Sequence, residues 1–146
     1  MTKTCGCVCG EEQKGLQSPA DAIMAVSILA LSTDGKLHKK EMDCLRRMTA
    51  SCPMFDGVQH IPEYIACIAE AIAGRGTDCV LREAAGALPK PLRETAYAWA
   101  VRIVMADHKV LPAEHAFLTA LGKALGVHGT LAGKIKGVIA ILDRTA

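Results

Sequence analysis

The chain has 146 residues, of which 51% are apolar, 22% charged and only 3% aromatic, with a net charge of +2. The apolar content excludes wholesale disorder, and so small a net charge, without interleaved aromatic and basic residues, argues against a nucleic-acid surface. A core short of aromatics must be built from Ala, Leu, Ile, Val and Met, which favours close-packed helices over a sheet.

Residues 1–16 carry no apolar periodicity and form an expected flexible, cysteine-rich tail ahead of one helical domain over 17–146. The tail has no apolar run of the signal-peptide kind, and the longest apolar stretch, 22–31, is about half the roughly 20 residues of a membrane-spanning helix. Of the seven cysteines, Cys44, Cys52, Cys67 and Cys79 stand singly, so unpaired thiols and a cytoplasmic location are expected, with no transmembrane segment.

Ser18-Pro19-Ala20-Asp21 has the chemistry of a helix start: a capping hydroxyl, a proline at the first position and an acid near the positive dipole end. The helix it opens runs to Thr33 and is apolar nearly all round, which predicts a central position. A second helix is expected from Lys39 to Ser51, stopped by Pro53, and a third from Pro62 to the Gly74-Arg75-Gly76 break. Thr77 and Asp78 are expected to cap a fourth that ends before Pro89; Pro91 opens a fifth and Pro112 a sixth that stops at Gly126. A seventh covers 130–143, and no segment alternates with the period of a strand. The expected fold class is all-α, a single compact bundle of about seven helices.

Two of the inter-helix segments match. Asp34-Gly35-Lys36-Leu37-His38-Lys39-Lys40-Glu41 and Asp107-His108-Lys109-Val110-Leu111-Pro112-Ala113-Glu114 share the pattern Asp-x-Lys-(aliphatic)-x-x-x-Glu at an offset of 73. At that offset Ala25 falls on Ala98 and Leu45 on Leu118, which implies a pseudo-two-fold internal repeat of one helix-loop-helix unit. Each Glu occupies the position of a capping-box acid, yet the capping residues, His38 and Leu111, are poor caps. Two uses stay open for the four carboxylates Asp34, Glu41, Asp107 and Glu114. They can fix the loops by accepting backbone N–H groups, or they can supply oxygen ligands to a hard divalent cation. Lys36, Lys39, Lys40 and Lys109 crowd the acids, so any such ion would be held weakly. His108 and His115 flank Glu114 and read chiefly as solvent-facing, whereas Trp99, Met24, Met42, Met48 and Met105 read as core.

The doubled loop, set in an all-helical chain of this size, resembles the tellurite-resistance TerB-like family over about residues 18–143. The resemblance implies a helical bundle with an acidic dyad formed by Asp34, Glu41, Asp107 and Glu114, which binds a divalent cation (Ca, Mg, Mn or Zn). It further implies a non-enzymatic stress-response role with other proteins as partners, membrane-associated stress proteins among them. His38, Leu111 and His108 depart from the family's residues. Cys5, Cys7 and Cys9 offer a separate soft-metal or thiol site, though their C-x-C-x-C spacing lacks the two separated pairs of a structural zinc site. No nucleophile elbow, phosphate-cradling glycine loop or HExxH occurs, so nothing in the sequence argues for catalysis.

Overall fold

Ser18 Oγ accepts the backbone N–H of Asp21 at 3.2 Å and Pro19 follows, so the first helix starts where its capping chemistry stands. The computed structural model describes residues 18–33, 39–107 and 111–142, excluding the side chain of Asp107. These residues form α1 (Pro19–Leu31), α2 (Lys39–Ser51), α3 (Ile61–Ile72), α4 (Thr77–Ala87), α5 (Lys90–Val104), α6 (Pro112–Leu125) and α7 (Gly129–Leu142). Short 3-10 turns occupy Pro53–Phe55 and Met105–Asp107, and no strand occurs among the described residues. The fold is all-α, as composition and periodicity require. No helix among the described residues is long and apolar enough to cross a membrane.

Several boundaries differ from expectation for local reasons. α1 stops at Leu31 rather than Thr33: Ser32 leaves the helical backbone (φ −110°, ψ 19°), and its N–H bonds to Leu29 O at 3.2 Å instead of continuing the ladder. The hydroxyls of Ser32 and Thr33 donate to Ile28 O and Ala30 O, which helps satisfy the carbonyls of the last turn. Gly76, not Thr77, is the N-cap of α4, so Thr77 already lies within the helix and contributes no side-chain cap. α6 ends as expected: Gly126 adopts φ 71°, and Val127 N–H reaches back to Gly122 O at 2.9 Å. Such a left-handed closure is tolerated by glycine because it has no Cβ.

α1 is the centre of the molecule. It packs most extensively on α5 and α4, and also on α3, and its residues from Ala22 to Val26 are completely shielded. The all-round apolar sequence of α1 thus has apolar neighbours on every side. Ser27 lies within this core and donates its hydroxyl to Ile23 O at 2.8 Å, so the buried polar group is satisfied inside its own helix. Phe55, in the turn after α2, stacks obliquely on Tyr64 of α3 and Trp99 of α5, with ring centroids 5.8 and 5.5 Å away. Three of the chain's five aromatic residues therefore join the turn after α2 to α3 and to the distant α5. Met24 is fully buried, while Met42, Met48 and Met105 pack against the core from its edge, which is the gap-filling use expected of them.

Candidate acidic loop site

The two helices that follow the matched loops begin alike. Glu41 lies in the first turn of α2 and Glu114 in the first turn of α6, at the positive ends of the helix dipoles. Their solvent exposures are 0% and 2%, unusual for a residue type that is almost never fully buried without partners. Glu114 Oε1 accepts the backbone N–H of Leu111 at 3.0 Å. The reciprocal half of a capping box cannot form, because the leucine side chain has no oxygen to offer. The glutamate half of the motif thus exists without its partner, as the sequence implied.

Of the positions 73 residues apart, Val26 and Trp99, Leu45 and Leu118, and Glu41 and Glu114 are buried in both members, whereas Ala25 is buried and Ala98 only half-buried. α1 and α5, the helices that lead into the two loops, pack on one another. α2 in turn packs against the Met105–Asp107 turn, which leads into the second loop. The helix after one acidic loop therefore touches the entrance to the other. Lys39 and Lys40 point to solvent at the start of α2, and His115 is exposed on α6. Asp34, His38, Lys36, His108, Lys109 and the side chain of Asp107 lie outside the described residues, so two of the four expected acidic ligands are placed and two are not. Among the described residues no group of three or more His, Cys, Asp and Glu side chains is close enough to hold a metal ion.

The thiols need a correction. Cys44, Cys52 and Cys79 are reduced, as expected, but Cys67 on α3 is disulfide-bonded. Cys67 looked solitary because sequence spacing says nothing of spatial neighbours, and its oxidised state removes the thiol argument for a strictly reducing compartment. Cys5, Cys7 and Cys9, the proposed soft-metal tail, lie outside the described residues.

One polar contact has no signal in the sequence. Tyr64 donates its phenolic O–H to Asp21 Oδ1 at 2.7 Å inside the core, across a separation of 43 residues. Asp21 had been expected to serve only the dipole of α1; it also ties the beginning of α1 to α3. Burial raises the pKa of Tyr97 on α5, since its charged form would lose hydration. No family model, curated protein or solved structure matches the chain.

Proposed function

We propose that the chain is a non-enzymatic helical scaffold of the TerB-like kind, working with protein partners in metal or oxyanion stress. A divalent cation is held weakly by the acidic pairs Asp34–Glu41 and Asp107–Glu114. The observation that carries this reading is the packing of α2 against the Met105–Asp107 turn, together with the burial of both glutamates. A carboxylate is costly to bury, and two at equivalent places need a common purpose. The decisive experiment is calorimetric titration with calcium, magnesium, manganese and zinc. Saturable binding that disappears in the Asp34→Ala, Asp107→Ala double variant is the expected result. Absence of binding at millimolar ion, with the same variant merely less stable, would sink the cation reading.

A second reading is favoured by α7. Val138, Ile141 and Leu142 remain 54%, 56% and 62% exposed at the aliphatic C-terminal end of the helix. An uncovered aliphatic face of this kind suits a partner-binding module in which the acids only fix the loops. In-cell photo-crosslinking from position 138 tests it. The reading requires a discrete protein adduct that is lost when Ile141→Lys is introduced; diffuse labelling insensitive to that change would count against it.

A further inference from the structure

We propose that Cys44 and Met48 on α2 form a binding site for a soft monovalent metal ion, Cu(I) or its analogue Ag(I). Cys44 and Met48 stand one turn apart on α2, Cys44 buried and Met48 packed against the core from its edge. Cys44 Sγ–H donates to Met48 Sδ across 3.6 Å. Two sulfurs at that separation are closer than twice a metal–sulfur bond of about 2.3 Å, so one ion can touch both without moving the helix. Cys44 is 6% exposed and Met48 half-buried, so an incoming ion meets Met48 before it reaches Cys44. Cys44 is not part of a disulfide, so its thiol can give up its proton to a metal.

Charge decides which ion fits. Thiolate and thioether are soft ligands and select Cu(I) over harder cations. Binding breaks the Cys44 S–H bond, forms a metal–sulfur bond and releases the proton to solvent, with no change in oxidation state. The product, one thiolate with one monovalent ion, is neutral and sits in the apolar edge of the core without an unpaired charge. A divalent ion on the same two sulfurs would leave a net positive charge there, a costly arrangement in a low-dielectric site. The pair therefore discriminates against Zn(II) by electrostatics as well as by softness.

The test uses the full chain carrying Cys5→Ser, Cys7→Ser and Cys9→Ser, so that the tail thiols do not compete, labelled with carbon-13 at its methionine methyl groups and titrated anaerobically with Cu(I) and, separately, with Zn(II). One equivalent of Cu(I) is expected to shift the Met48 methyl resonance, and Zn(II) to leave it in place. Competition with a chromogenic Cu(I) chelator is expected to show Met48→Leu weakened by at least the roughly tenfold that loss of even an outer partner of a metal ligand costs. Cys44→Ser is expected to abolish the methyl shift. Met48→Leu conserves size and apolarity, so it remains informative if Cys44→Ser fails to fold. An unmoved Met48 methyl while Cu(I) binds elsewhere in the chain, an equal response to Zn(II), or an unchanged affinity in Met48→Leu would each overturn the proposal.

Discussion

Glu114 shows how much one side chain can settle. Its Oε1 accepts the Leu111 N–H at 3.0 Å, so part of its role is the capping bond that the sequence already allowed. Glu114→Ala should cost about 1 kcal/mol in urea unfolding, the usual worth of a cap, whereas Glu114→Gln keeps the acceptor and should cost much less. If the carboxylate also ligates a cation, the Gln variant will lose affinity for the ion while retaining stability, and the two roles separate. Tyr97 gives a different residue-scale prediction. Its pKa is raised by burial, so above the ordinary tyrosine value of about 10 the unfolded chain loses a proton that the folded chain keeps. The unfolded state then binds fewer protons than the native state, and stability falls as pH rises. The contribution is fully present below about pH 10 and is lost through the folded pKa above it. Chemical denaturation between pH 9 and 11 should show this decline, and Tyr97→Phe should flatten it.

Among the elements, α1 and α7 have opposite fates. Both are rich in Ala, Ile, Leu and Val, but α1 is enclosed by α3, α4 and α5, whereas Ile139 is the one fully buried side chain that α7 contributes to the core. Helix positions, their order and the central place of α1 were legible because proline, glycine and apolar period act locally. The Asp21–Tyr64 bond, the pairing of Cys67 and the exposed side of α7 were not, since each depends on which distant segment packs nearby. The glycines of α7 make the point testable. Gly133 and Gly137 have nothing within 4 Å of a built Cβ, and no positive φ, so neither packing nor backbone geometry requires glycine there. Gly133→Ala and Gly137→Ala should each stabilise the chain by about 0.5–1 kcal/mol, seen as a higher urea midpoint with an unchanged slope. A loss of stability would mean that another surface approaches this helix closely in solution.

At the scale of the molecule, stability should be concentrated around α1 and thin towards α7. Ile23 is wholly enclosed on α1, and its replacement by alanine leaves a cavity that neighbours on several helices cannot all fill. Ile23→Ala should cost about 2–5 kcal/mol, the range for large-to-small changes in a packed interior. Ile141 is 56% exposed, and Ile141→Ala should fall within about 0.5 kcal/mol of the parent, as substitutions away from packed features do. The contrast also tests whether the uncovered face of α7 stays uncovered. If two copies met through it, the unfolding midpoint of the parent would rise with protein concentration, because association stabilises only the folded state. Ile141→Ala would then cost more at high concentration than at low. A concentration-independent midpoint with a near-neutral Ile141→Ala leaves that face available to a different protein, which is what the partner-binding reading requires.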